Sequence, residues 1–257
     1  MGRPLFAFAG NDITPSAASV TITSAATGYP ATNLIGYDPT LPSKANSSTA
    51  TWVFYFASAY TPSLLALINH NFATTATVSF GNSMGFVTSL TMPSRTLDFQ
   101  VENPWKELTG ANRTSSIFFL TVTGSNSLCA IGAVPICTSF SRVALRWGSG
   151  TGVETGLDYP DLEVGRTFYQ TLLLYNRAVR QRTLRGTAIR DDARSILQLN
   201  AASAQGRIYP FVVVPDEDVN SALWVRWSDT TFRYLRSAST VSTTEVVLEE
   251  LVNGLTL

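Results

Sequence analysis

The chain has 257 residues, enough for one large all-β domain or two ordinary ones. Charged side chains make up 14% of it, 18 basic against 18 acidic, a balance that implies no nucleic-acid partner. No stretch approaches the ~20 apolar residues that a membrane-spanning helix needs. Thr, Ser, Ala and Asn replace the missing charge. Such a surface is either covered by neighbours or lined with neutral hydroxyls and amides. Lys44 and Lys106 are the only lysines, and the other cations are arginines. Arginine suits interfaces because its planar fork pairs well when desolvated, although a GC-rich genome gives the same bias.

The opening MGRPLFAFAG holds Arg3 and a short apolar patch, too short for the core of a secretory signal. Phe6 stands where a myristoylation sequence would need Ser or Thr. Short strands between turn signals follow. Ser19 to Thr23 alternates polar and apolar, and Thr96 to Glu102 repeats that pattern as one strand. Trp52 to Phe56, Leu64 to Ile68, Thr77 to Phe80 and Ile117 to Thr123 are β-branched and aromatic, and are also expected to be strands. Gly28-Tyr29-Pro30, Asp38-Pro39, Leu41-Pro42, Thr61-Pro62, Gly81-Asn82 and Met92-Pro93 punctuate them. This spacing predicts a β-sandwich or jelly roll over residues 1–140.

Composition changes near residue 140, because residues 1–140 carry only ten of the charged side chains. A second β domain is therefore expected over 141–257. Glu163 to Tyr175 forms a long β-like run with Arg177 to Thr187 as its hairpin partner. A single helix is expected at about 190–205, with Asp191 and Asp192 at its start and Gly206 after its end. Strands are expected at Ile208 to Val214, Leu223 to Trp227, Phe232 to Leu235 and Val246 to Val252.

No catalytic set emerges. Gly81-Asn82-Ser83-Met84-Gly85 fits the G-x-S-x-G pattern, but the only histidine, His70, precedes the serine, and a hairpin turn explains the glycines. Gly148-Ser149-Gly150-Thr151-Gly152 completes neither a dinucleotide fingerprint nor a Walker loop. Asp216-Glu217-Asp218 lacks the glycine and distal glutamate of a calcium loop. Cys129 and Cys137, without a companion histidine, are expected to be buried free thiols. The expectation is a non-enzyme without cofactor or metal.

Tyr29-Pro30-Ala31-Thr32-Asn33-Leu34, Thr51-Trp52 and Leu65 to Asn71 (LALINHN) together resemble the galactose-binding-like (discoidin-type) jelly rolls of tailed-phage virion proteins. Ile131-Gly132-Ala133 and Tyr209-Pro210-Phe211 through Pro215-Asp216 are similar to the second half of such tail proteins. The resemblance implies a structural subunit of the tail tip, baseplate or distal tail. It would be made in the host cytoplasm, sit in a ring of its own copies and contact other tail proteins.

For that role, Arg177, Arg180, Arg182, Arg185, Arg190 and Arg194, with Trp147 and Trp227, are the expected interface residues. The alternative is a carbohydrate- or receptor-binding module of the same particle, with Tyr60 and Trp105 as the expected glycan contacts.

Overall fold

The computed structural model describes residues 4–251 apart from 40, 95, 98–99, 126–127, 144, 148–152, 159–163, 167–171, 175–178, 189–207, 218–220, 228–233 and 239–240. The protein is mainly β. After β1 (Leu5–Ala7) come β2 (Ala17–Ile22), β3 (Ser43–Lys44), β4 (Ala50–Tyr60), β5 (Leu64–Ala66), β6 (Ile68–His70), β7 (Thr77–Asn82) and β8 (Val87–Leu90). β9 (Thr96–Leu97), β10 (Gln100–Val101), β11 (Trp105–Glu107), β12 (Ser115–Thr123), β13 (Ala130–Ala133) and β14 (Ile136–Cys137) complete the first half. Next are β15 (Ser141–Arg142), β16 (Leu145–Trp147), β17 (Val153–Asp158), β18 (Val164–Arg166) and β19 (Leu172–Leu174). The last five are β20 (Val179–Ala188), β21 (Phe211–Val214), β22 (Leu223–Trp227), β23 (Tyr234–Ala238) and β24 (Val241–Glu250).

A five-stranded antiparallel sheet, β2-β4-β12-β7-β8, faces two three-stranded sheets, β11-β5-β14 and β3-β13-β6. Alternation supplies the core between them. Trp52, Phe54 and Phe56 of β4 point inward with Phe118, Leu120 and Val122 of β12, and Leu65, Leu67, Ile131 and Ile136 meet them from the other side. Phe80 stacks on Phe118 at 5.6 Å, and the Trp52 indole N–H donates to Ser43 Oγ at 2.9 Å, so the largest buried ring leaves no unpaired donor. The G-x-S-x-G stretch is the β7–β8 hairpin. Asn82 Oδ1 accepts from the Met84 and Phe86 amides, and Gly85 takes a left-handed φ of 86°.

A second, nine-stranded sheet runs β15-β1-β21-β22-β24-β20-β16, with β17 on β20 and β23 on β24. Its strand β1 comes from the very start of the chain, where Leu5 pairs with Val214 on one side and Arg142 on the other. The division of the sequence at residue 140 therefore separates β1 from the sheet it belongs to.

Three cores are stacked in series. Leu65 and Leu67 face the sandwich core, whereas Leu64, Ala66 and Ile68 face a middle core with Leu5, Ala7, Val212, Val214 and Trp224. The intervening residues Phe6, Phe8, Phe211, Val213, Leu223 and Val225 face a third core with Leu184, Trp227, Val246 and Leu248. Strands buried on both faces read as unbroken apolar runs, which is why LFAFA, LLALI and FVVV show no alternation.

Several expectations are corrected. Thr96 to Glu102 is not one strand, because β9 and β10 pair with each other as a tight hairpin. The run from Glu163 is not the hairpin partner of the arginine-rich strand: β18 pairs with β19, while β20 pairs with β16, β17 and β24. The helix expected at about 190–205 lies outside the described residues.

Candidate functional site

The loops at one end of the sandwich form a cluster tied by backbone hydrogen bonds. Lys44 N–H donates to Tyr29 O at 3.2 Å, Ala26 N–H to Lys44 O at 2.8 Å, and Asn46 N–H to Ser24 O at 2.7 Å. Cys129 N–H donates to Ser47 O and Asn71 N–H to Ala130 O. Positive φ at Ser24 and Gly28 turns the chain sharply on either side of Ala25 to Thr27. Tyr29 stands out from this scaffold 40% exposed, with Lys44 Nζ 5.5 Å from its ring centre. Asn46, two residues after Lys44, is exposed, its side-chain amide donating to Ala25 O at 3.3 Å. The cluster thus joins one aromatic face, one ammonium and several neutral amides and hydroxyls on stiff backbone.

A second feature lies where the sandwich meets the nine-stranded sheet. Asn103 Oδ1 accepts from the Asn69 amide at 2.9 Å, and its Nδ2 donates to Ala222 O at 3.2 Å. Asn69 has a left-handed φ of 55° and donates from Nδ2 to Pro39 O at 2.8 Å. Ser221 Oγ donates to the buried Glu102 carboxylate through a short hydrogen bond. Above this polar seam, Tyr37 packs on Tyr209 at 4.9 Å and stacks on Trp224 at 6.4 Å. Gly132 lets the loop close in, since a Cβ there would sit 2.3 Å from Pro39 O. On the surface, Arg142 bridges Glu107 at 2.7 Å and Glu217 at 3.0 Å while lying over the Phe140 ring.

The part-buried Asp12 and the buried His70 give opposite pH signatures. Burial pushes the Asp12 carboxyl up to about 7, against the pull of the Thr14 and Ile136 amides that it accepts. Burial pushes His70 down to about 4, with the Glu102 backbone offsetting only part. The fold holds the Asp12 proton more tightly than the unfolded chain does. Its contribution is therefore full below pH 4 and lost as pH rises through 7. For His70 the stability is full above pH 6.5 and lost as pH falls through 4. Asp12→Asn keeps the accepting oxygen without the charge. It is expected to stabilise the protein by about 2–3 kcal/mol more at pH 8 than at pH 5 in urea unfolding. Equal shifts at both pH values would refute burial as the cause.

The structure separates the residues singled out from the sequence. Trp227 is corrected: it is 5% exposed and packs on Phe211 at 5.6 Å, so it fills the third core and offers no ring to a neighbour. Trp147 lies in β16 opposite Gly186, and Arg180, Arg182 and Arg185 lie in β20, opposite Leu157, Thr155 and Val247. Arg177, Arg190 and Arg194 lie outside the described residues. Tyr60 packs edge-on against Phe56 at the far end of β4, and Trp105 is half-buried in β11 against the middle core. Tyr60 packs against the sandwich core and Trp105 against the middle one. His70 ends β6 and accepts from the Phe72 amide at 3.1 Å. Cys129 and Cys137 are buried free thiols. Among the described residues, no group of three or more His, Cys, Asp or Glu could hold a metal.

No family profile and no curated protein matches this sequence. Solved structures similar to part of this chain include carbohydrate-binding modules. Chitosan-binding module 1 of a chitosanase/glucanase from Paenibacillus sp. IK-5 is 15% identical, with a TM-score of 0.37 over 49% of this chain and 97% of that one. A Clostridium perfringens module in complex with glcNAc-alpha-1,4-galactose is 16% identical, with a TM-score of 0.38 over 51% and 93%. The family 32 module of C. perfringens NanJ in complex with galactose is 13% identical, with a TM-score of 0.38 over 51% and 98%.

Proposed function

We propose that this protein is a non-catalytic module that recognises carbohydrate through the loop end of the sandwich carrying Tyr29. The observation that supports this reading is the exposed Tyr29 ring beside Lys44 in a hydrogen-bonded loop cluster, to which Asn46 is tied through Ser24 O and Ala25 O. A sugar presents an apolar C–H face to a ring and hydroxyls to neutral donors and acceptors, and it is bound best by a site already rigid before it arrives. Galactose, N-acetylglucosamine oligomers and chitosan are suitable probes in isothermal titration. Binding to at least one is expected, weakened tenfold or more by Tyr29→Ala without loss of thermal stability. Wild-type affinity in that variant, or no binding of any probe, would end this reading.

The second reading is a structural subunit of a tailed-phage tail tip or baseplate. It is favoured by the middle core and the Arg142 clasp, which fasten the two β bodies into one stiff piece suited to carrying load. Light scattering on the same samples separates the readings. A closed ring supports the subunit, and a monomer that binds glycan supports the module.

A further inference from the structure

We propose that Tyr37 and Tyr209 form a second saccharide-binding shelf, separate from Tyr29, at the junction of the sandwich with the nine-stranded sheet. One ring comes from the loop between the turn Ala31–Ile35 and β3, the other from the segment just before β21. Their centres are 4.9 Å apart with planes tilted by 41°, so the pair makes a shallow aromatic step. Tyr209 is 43% exposed and its neighbour Ile208 is 68% exposed.

The step is braced from below. Trp224, buried at 2% exposure, stacks under Tyr37 with planes 22° apart, and its indole N–H reaches Tyr37 O at 3.5 Å. Asn69 holds the same loop through Pro39 O at 2.8 Å, and the Leu41 amide closes it on Asp38 O at 3.3 Å. A ring pair anchored this way loses little freedom when a ligand stacks on it.

Size selects the ligand. Two part-exposed tyrosine rings offer on the order of 200 Å², a fraction of the ~800 Å² that a stable protein interface buries on each side. That area suits one or two pyranose rings. Burial, helped by the nearby Asp12 charge, pushes the Tyr37 hydroxyl up to about 12. It therefore stays neutral and can both donate to and accept from a sugar hydroxyl.

The test uses the full chain with chitotetraose and lactose as probes, followed by saturation-transfer NMR and tryptophan emission. Tyr29→Ala should retain binding of at least one probe, with an emission change that Trp224→Phe removes. Adding Tyr209→Ala should weaken that binding tenfold or more, whereas Tyr209→Phe should stay within threefold. Thermal unfolding of each variant checks that the fold is kept. The shelf is overturned if Tyr29→Ala alone abolishes all binding, if Tyr209→Ala changes nothing, or if neither probe binds at 10 mM (about the weak limit of useful recognition). It is also overturned if Tyr209→Ala dissolves a dimer in light scattering, since a second copy would then be the occupant. Loss confined to Tyr29→Ala sinks the shelf and leaves the proposed function standing. Loss confined to Tyr209→Ala does the reverse.

Discussion

Deletion of residues 1–9 is expected to unfold the second half of the chain while leaving the sandwich folded. β1 lies between β15 and β21 and hydrogen-bonds to both, so its removal leaves two facing strand edges without partners. Leu5, Phe6 and Phe8 are all buried, and each fully buried side chain of this size contributes about 1.5–3 kcal/mol. The loss approaches the ~5–15 kcal/mol that holds a whole domain together. The sandwich keeps its own core because none of these residues belongs to it. Hydrogen exchange is the direct measurement. Amides of Phe211–Val214 and Leu223–Trp227 should lose protection, while those of β4 and β12 keep theirs. Unchanged protection in β21 would show that β1 is dispensable.

Trp224→Ala is expected to cost about 3–5 kcal/mol, as for other large buried aromatics truncated to a methyl group. The indole spans the joint. It belongs to the middle core with Leu5, Leu64 and Ala66, and one of its faces lies under Tyr37. Truncation leaves a cavity where neither body can relax without separating from the other, so urea unfolding should split from one transition into two. Trp224→Phe should recover most of the loss. A single transition with a shift under ~1 kcal/mol would mean that the joint holds without this ring.

The sandwich was largely legible because its outer sheet has one wet face. Trp52 to Phe56 and Ile117 to Thr123 were legible as strands from their β-branched and aromatic residues, and their alternating burial belongs to the fold. The inner strands were legible as strands but not as shared walls. A run such as Leu64 to Ile68 says that both faces are buried, yet says nothing about what covers each one. The same limit hid β1. Leu5 to Ala9 was weighed as a secretion signal, and a partner near residue 214 leaves no local trace. The charge shortage also has an internal explanation, since three stacked cores consume apolar surface that a single sandwich would leave for neighbours.

Hairpin assignment failed at β20 because a strand's own pattern does not choose its partner. For the site, tryptophan attracted attention and tyrosine carried the geometry. Tyr29, Tyr37 and Tyr209 each sit beside a glycine or proline; Tyr29 and Tyr209 served only as turn punctuation or family signature, and Tyr37 as neither. That neighbourhood alone does not mark them, because Phe80, Phe86 and Phe211 also adjoin a glycine or proline and are buried. Tyr60 and Trp105 have neighbours that fold over them, which spacing alone does not show.

The pairing of Leu5 with Val214 sets a timetable for synthesis. At about 5–20 residues per second, β1 leaves the ribosome roughly 10–40 s before its partner exists. LFAFA is an apolar strand with two open edges until β15 emerges and with one until β21 does, while the sandwich behind it has every residue of its own core and can close. The nascent chain therefore carries a folded body next to a sticky apolar strand. A holding chaperone, or a second nascent copy, finds its target in that segment, which the finished fold buries.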